Sequence, residues 1–162
     1  MIADGRNIIL HRNGMNPDIV ADVISYYNIW KNQPEEILTE IQNIPVDIQC
    51  ESVFAYLLNK VDYKVDPAGK QFIKSPARLL ADGKGDCKSF TIFIASCLHC
   101  LGIPHTIRFT NYYNGDQYTH VYPIAYDEHG KAIVLDACPQ MDRRVKYDYE
   151  AKFTNKKDFY FQ

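Results

Sequence analysis

The sequence lacks the long apolar runs of a membrane protein and shows no excess of charge of one sign. No apolar run reaches the roughly 18 to 20 residues that a membrane-spanning helix needs. The 18 basic and 20 acidic side chains give a formal charge of -2, without a long block of either sign. Such a surface does not attract a phosphate backbone or an anionic bilayer. We therefore expect neither a nucleic acid nor a membrane as a partner.

The cysteines lack the pattern of a disulfide-bonded framework. There are five, an odd number, and three of them lie in or beside one apolar stretch. Met1 is followed by polar residues rather than by the apolar core of a signal peptide. Both features predict reduced thiols in a soluble cytoplasmic protein.

A complete set of metal ligands is also missing. Cys97, His99 and Cys100 resemble half of a metal site, but a C-x-x-C motif needs a second pair of ligands and the other cysteines and histidines are scattered. Three buried or half-buried residues of one helix are the simpler interpretation. We expect no metal and no cofactor.

Helical patterns fill the first third of the 162 residues. Apolar residues recur at helical intervals from Pro17 to Trp30, and further helices are predicted from Pro34 to Ile44 and from about Asp47 to Val61. The second of these helices is expected to bury Ile37, Leu38, Ile41 and Ile44, and the third Val53, Leu57, Leu58 and Val61. We predict that residues 1–46 form a helical extension packed on the core and that residues 47–162 form the main domain.

The rest of the chain changes from helix to strand patterns. Residues 71–80 are ambiguous, with Pro76 opening a short helix, whereas Cys87 to Leu101 is apolar nearly all round and predicts a buried helix. Strands are predicted over residues 105–113, 117–126 and 131–137, with a turn at Asn114 and Gly115 and a weak strand pattern in the tail, residues 146–162. A buried helix packed on an antiparallel sheet gives an α+β fold.

Cys87 stands at the predicted start of the buried helix, after Asp86 as N-cap. Unpaired backbone N–H groups and the positive end of the helix dipole meet its sulfur there, which favours the nucleophilic thiolate. A cysteine at a helix start more often only packs. The following strands decide between these interpretations, because they carry a histidine and an aspartate.

The turn between the last two predicted strands decides whether His120 and Asp136 share a face of the sheet. With a loop of two or four residues, Asp136 opposes Val121 and points away from His120. With the three-residue loop 128–130 and Gly130 in the left-handed conformation, Asp136 opposes Tyr122, on the face of His120 and diagonal to it. Glycine at position 130 favours the second register.

Several motifs resemble the core of the transglutaminase-like superfamily, which is related to papain-like cysteine peptidases. The resemblance covers roughly residues 72 to 138 and rests on Gly85-Asp86-Cys87, Leu101-Gly102-Ile103-Pro104, Arg108, His120-Val121-Tyr122 and Leu135-Asp136. It implies a papain-like fold in which Cys87 is acylated, His120 moves the proton and Asp136 holds the imidazole.

The sequence departs from the usual family pattern around these residues. Members often carry tryptophan after the histidine and before the aspartate, and the only tryptophan here, Trp30, lies far upstream. The backbone N–H of Cys87 is one expected oxyanion donor, and the sequence does not show an evident second one. Gln71 is the candidate, and an exposed loop glutamine without a catalytic role is the alternative.

Two functions follow from these patterns. The first is cysteine-dependent acyl transfer or hydrolysis of an amide or peptide bond through a thioester, with a peptide or protein as substrate. The second is a structural or virion-associated protein that retains the fold, because the chain also resembles small phage-encoded members of the family. That alternative predicts assembly partners and a location in the virion. Three polar residues in one register favour the enzyme.

Overall fold

The computed structural model describes residues 6–11, 17–67, 69–112, 117–139 and 144–162. The described helices are α1 Pro17–Trp30, a 3₁₀ helix Glu35–Ile41, α2 Val46–Lys60, α3 Pro76–Asp82 and α4 Cys87–Cys100. The strands are β1 Arg6–His11, β2 Asp62–Tyr63, β3 Gly69–Lys74, β4 Lys84–Gly85, β5 His105–Asn111, β6 His120–Tyr126, β7 Ala132–Val134 and β8 Asn155–Phe161. None of these helices is long and apolar enough to cross a membrane.

Helix α4 is the centre of the fold. All of its residues from Cys87 to Leu98 are buried, as the apolar sequence predicts for a helix that is covered on most sides. The helix begins where the Asp86 side chain accepts a hydrogen bond from the backbone N–H of Lys88, at 3.1 Å. It ends before Gly102 and Pro104, which cannot continue it.

The main sheet has the strand order β7-β6-β5-β8, and all of its pairs are antiparallel. The buried helix on this sheet confirms the predicted α+β class. The weak strand pattern in the tail corresponds to β8, which pairs with β5 along its whole length. The predicted turn at Asn114 and Gly115 lies outside the described residues.

The β6–β7 hairpin has the register predicted for a three-residue loop. Ile124 pairs with Val134. Gly130 has a φ of +77°, a backbone conformation that residues other than glycine rarely adopt. One step past the last pair, the N–H of Leu135 donates to the carbonyl of Pro123 at 3.0 Å. The register therefore carries Asp136 onto the face of His120.

Helix α1 packs on the same core as α4. Ile19, Val23 and Tyr27 are fully buried, and the Tyr27 hydroxyl lies 2.8 Å from Nε2 of His105 at the start of β5. Burial lowers the pKa of His105 to about 4, so the ring is neutral and its Nε2 accepts this hydrogen bond while Nδ1–H donates to Ile103. The division into residues 1–46 and 47–162 stays a prediction.

Two details of the predicted helices are wrong. The segment after Pro34 forms a 3₁₀ helix that buries only Leu38, and Ile37 is 43% exposed. A 3₁₀ helix repeats every three residues, so Leu38 and the half-buried Ile41 share its inner side and Ile37 does not. In α2, Leu57 takes the inward position and Leu58 is 40% exposed.

The ambiguous segment 71–80 contains both a strand and a helix. Strand β3 ends at Lys74, Ser75 caps the next helix by accepting from the N–H of Arg78, and Pro76 opens α3 as predicted. Strand β3 pairs with β1, while β2 pairs in parallel with β4 immediately before α4. These short strands bring two further segments beside the start of α4.

Candidate active site

Cys87 occupies the first position of α4, and its side chain is 6% exposed. One turn further on, the hydroxyl of Thr91 donates to the backbone carbonyl of Val121 at 3.0 Å. This bond ties the first turns of α4 to β6 at the residue that follows His120. The helix start and the histidine strand are thus held against each other.

His120 connects Cys87 with Asp136. Its Nε2 lies 2.8 Å from Oδ2 of Asp136, and its side chain is also hydrogen-bonded to Cys87. Since Nε2 is engaged with Asp136, Nδ1 is the ring nitrogen left for the sulfur. The three predicted residues form one continuous chain of contacts, and all three are buried.

The environment of His120 favours the imidazolium. Burial lowers the pKa of the ring, but hydrogen bonds and charge interactions with Asp136 and Cys87 together outweigh it and raise the pKa to about 10. The aromatic rings of Tyr112 and Tyr122 flank the imidazole, with ring centroids at 6.2 and 5.4 Å. A protonated ring beside a thiol is the arrangement that favours a thiolate partner.

A second thiol, Cys138, lies beside this chain of contacts, and the sequence patterns did not single it out. Its N–H donates to Oδ1 of Asp136 at 3.2 Å, and its thiol is also hydrogen-bonded to that carboxylate. Burial, followed by the charges of Asp136 and Cys87, raises the pKa of Cys138 well above its ordinary value. The thiol is therefore neutral, and it gives Asp136 a further donor.

Among the described residues, His120, Asp136 and Cys138 are also the group of side chains that could hold a metal. One ligand atom from each lies within 4.8 Å of the others. Cys97, His99 and Cys100, whose spacing resembles half of a metal site, do not converge in this way. Cys97 is fully buried, His99 lies 3.1 Å from the side chain of Asn32, and the thiol of Cys100 donates to the carbonyl of Lys31.

Lys88, the residue after Cys87, forms a buried polar cluster. Its ammonium contacts the carboxylate of Asp86, lies 3.4 Å from Asp66 and donates to Oε1 of Gln71 at 2.5 Å. Burial alone would lower the pKa of Lys88, but Asp86 and the other neighbouring charges raise it, so the ammonium stays charged. Burial, followed by the charge of Asp86, raises the pKa of Asp66 to about 6.

Gln71, the predicted oxyanion donor, is a half-buried residue of strand β3 rather than an exposed loop glutamine. Its carbonyl oxygen is bound by Lys88, so its amide NH₂ group is directed by that contact. The alternative of a solvated loop position is therefore wrong. Its role as a donor stays a prediction.

An ion-pair network supports β6, the strand that carries His120. The Tyr122 hydroxyl donates to Glu150 at 2.6 Å, and Arg108 binds both Glu150 and Asp158. These contacts tie β6 to β5, to β8 and to the loop before β8. Arg108 was part of the family resemblance, and these ion pairs give it a structural role.

A family model described as the transglutaminase-like superfamily matches residues 39–137. This range includes Cys87, His120 and Asp136. No curated protein is similar enough in sequence to count as a relative.

Solved structures that share the fold include two candidate proteases. A candidate cysteine protease from Cytophaga hutchinsonii is 16% identical with a TM-score of 0.51, over 82% of this chain and 48% of that one. A candidate protease from Parabacteroides distasonis is 14% identical with a TM-score of 0.59, over 74% of this chain and 26% of that one. The chain thus spans about half of the first protein and about a quarter of the second.

Proposed function

Since the chain belongs to the transglutaminase-like superfamily, we propose that it is a cysteine-dependent enzyme that acts on an amide or peptide bond through a thioester at Cys87. The observation that carries the proposal is the continuous contact from Cys87 through His120 to Asp136. A packing cysteine needs neither of the other two residues. Their arrangement supports a nucleophile, a proton carrier and a residue that orients the imidazole.

The reaction begins with attack of the Cys87 thiolate on the carbonyl carbon of the substrate. The π pair of the carbonyl moves onto oxygen, and this oxyanion accepts the backbone N–H of Cys87 at the helix start. When the tetrahedral intermediate collapses, the C–N bond breaks and His120 gives its proton to the leaving amine. Water or a second amine, deprotonated by His120, then attacks the thioester and regenerates the thiolate.

Gln71 belongs to this proposal as an oxyanion donor. Its carbonyl oxygen is held by Lys88, which leaves the amide N–H groups to donate. Lys88 in turn sits between Asp86 and Asp66, so the amide is oriented by a charged cluster rather than by a single contact. In this assignment Gln71 acts on the substrate oxygen, and Lys88 is a positioning residue.

The substrate in this proposal is a peptide or protein, and no cofactor takes part. Hydrolysis and transamidation share the acylation step and differ only in whether water or an amine attacks the thioester. Both acceptors use the same proton carrier, His120. Incubation of an acyl-donor peptide with and without a primary amine separates the two outcomes by the mass of the product.

The pH dependence of thiol alkylation tests the proposal. We expect iodoacetamide to label Cys87 below pH 7, faster than Cys100, which serves as an internal control because it is the more exposed thiol. His120→Ala should slow the labelling of Cys87 at low pH and leave that of Cys100 unchanged. Equal labelling of Cys87 in both proteins would contradict the proposal and favour the structural alternative, with its virion partners.

A further inference from the structure

The hydroxyl of Tyr63 stands beside the start of α4 without a partner among the described residues. Tyr63 lies on β2, which pairs in parallel with β4, and its Cα partner is Gly85, two residues before Cys87. Asp62 of the same strand is exposed, whereas Tyr63 turns inward and is half-buried. The strand pairing thus directs one tyrosine side chain toward the helix start.

The ring of Tyr63 is held in place by the first turn of α4. It meets Phe90 edge to face, with ring centroids 5.6 Å apart and an interplanar angle of 83°. Phe90 is three residues after Cys87, so the two side chains lie on neighbouring positions of one helix face. Backbone bonds from Asp62 to Gly83, at 2.9 Å, and from Lys64 to Gly85, at 2.8 Å, fix the strand on both sides of Tyr63.

The charges that act on the phenol belong to the candidate site. Burial, followed by the charges of Cys87, Cys138, Asp86 and Asp136, raises the pKa of Tyr63. The hydroxyl therefore keeps its proton at every working pH and is a donor rather than a base. A half-buried tyrosine hydroxyl normally has a hydrogen-bond partner.

We propose that the Tyr63 hydroxyl is a catalytic donor that binds the oxyanion of the substrate together with the backbone N–H of Cys87. This inference rests on the proposed function. As the sulfur bonds to the carbonyl carbon, the π pair moves to oxygen, and that oxygen accepts the Tyr63 O–H without taking its proton. When the C–N bond breaks, the pair returns to the carbonyl and the hydrogen bond weakens. Tyr63 thereby supplies a donor in a protein that has no tryptophan near the site, in addition to Gln71.

Tyr63→Phe tests this assignment, because it removes the hydroxyl and keeps the ring that packs on Phe90. The acyl probe is p-nitrophenyl acetate, whose acylation step passes through an oxyanion, and the alkyl probe is iodoacetamide, whose displacement does not. We expect acylation of Cys87 to fall about 100-fold, the usual effect of losing one oxyanion donor. Alkylation of Cys87 should stay within about twofold. Tyr56→Phe is the matched control, since Tyr56 also packs its ring on a phenylalanine of α4.

The possible results separate the two proposals. Normal acylation in Tyr63→Phe, with Cys87 acylated in the unchanged protein, would overturn the role of Tyr63 alone. An equal loss of acylation and alkylation would also overturn it, because Tyr63 would then act on the thiol and not on the oxyanion. Absence of any acylation at Cys87 in the unchanged protein would overturn the proposed function and this inference together. A melting temperature equal to that of the parent protein confirms that the variant is folded.

Discussion

Replacing Asp136 by asparagine should lower the pKa of His120. The substitution keeps the shape of the side chain and removes the charge that faces Nε2 of His120, 2.8 Å away. The pKa of His120 is raised from 6.5 to about 10 although burial lowers it. At about 1.4 kcal/mol per pKa unit, the charged form is favoured by about 5 kcal/mol. Without the carboxylate, only Cys87 still opposes burial, so we expect the pKa of His120 to fall well below that of the parent protein.

NMR titration of the histidine ring carbons measures this change directly. The resonance of His120 should be constant from pH 6 to about pH 8 in the parent protein and should titrate at a lower pH in Asp136→Asn. Acyl transfer should fall by about 10³-fold or more, as expected when the group that orients a catalytic imidazole is lost. Titration of His120 at the same pH in both proteins would contradict this prediction.

The same pair predicts how stability depends on pH. Because the folded pKa of His120 lies above 6.5, its contribution to stability is complete below pH 6.5 and is lost as the pH rises toward 10. Urea unfolding is best measured in Cys87→Ser, which removes the thiol as a second titrating partner. Its free energy of unfolding should fall above pH 6.5 by at most about 1.4 kcal/mol per pH unit. Cys87→Ser with Asp136→Asn should show no such slope, and equal slopes would contradict the prediction.

Three further changes test the supporting structure. Gly85→Ala would bring a Cβ to 2.5 Å from the Leu79 side chain, so thermal melting should show a loss of about 1–3 kcal/mol from overpacking, and an unchanged melting curve would contradict this. Gly130→Ala meets no atom within 4 Å, and only its left-handed backbone should cost about 1–2 kcal/mol; a larger loss would point to another role. Tyr27→Phe leaves the buried His105 ring without its donor, so urea unfolding should show a loss of about 1–3 kcal/mol, and a neutral result would indicate a replacement partner.

The parts of the fold that the sequence predicted well depend on local chemistry. Three such features are Asp86 as N-cap, the apolar pattern of α4 and the glycine at position 130. Each acts within a few residues, so its effect can be predicted from the local sequence. The register of β6 and β7 followed from one loop length and one glycine. That register is what brings His120 and Asp136 together.

The parts that the sequence did not predict depend on contacts between distant segments. Nothing near Tyr63 in the chain indicates that β2 pairs with β4, because a two-residue parallel strand has no periodic pattern. Cys138 was one of several scattered cysteines in the sequence, and no pattern singled out Lys88. Their positions follow from how β3 and the residues after β7 close around α4. The 3₁₀ helix after Pro34 was likewise mistaken for an α-helix, since a short apolar repeat fits both periods.

Intact-mass analysis identifies the nucleophile directly. The protein reacts briefly with p-nitrophenyl acetate at neutral pH, is quenched with acid and is then analysed by peptide mapping. We expect one acetyl group as a thioester on Cys87, absent in Cys87→Ala and much reduced in His120→Ala. The Cys138→Ala variant, which lacks the neighbouring thiol, should still be acylated at Cys87. Acetylation spread over several cysteines, or absent from Cys87, would contradict the claim that this residue is the nucleophile.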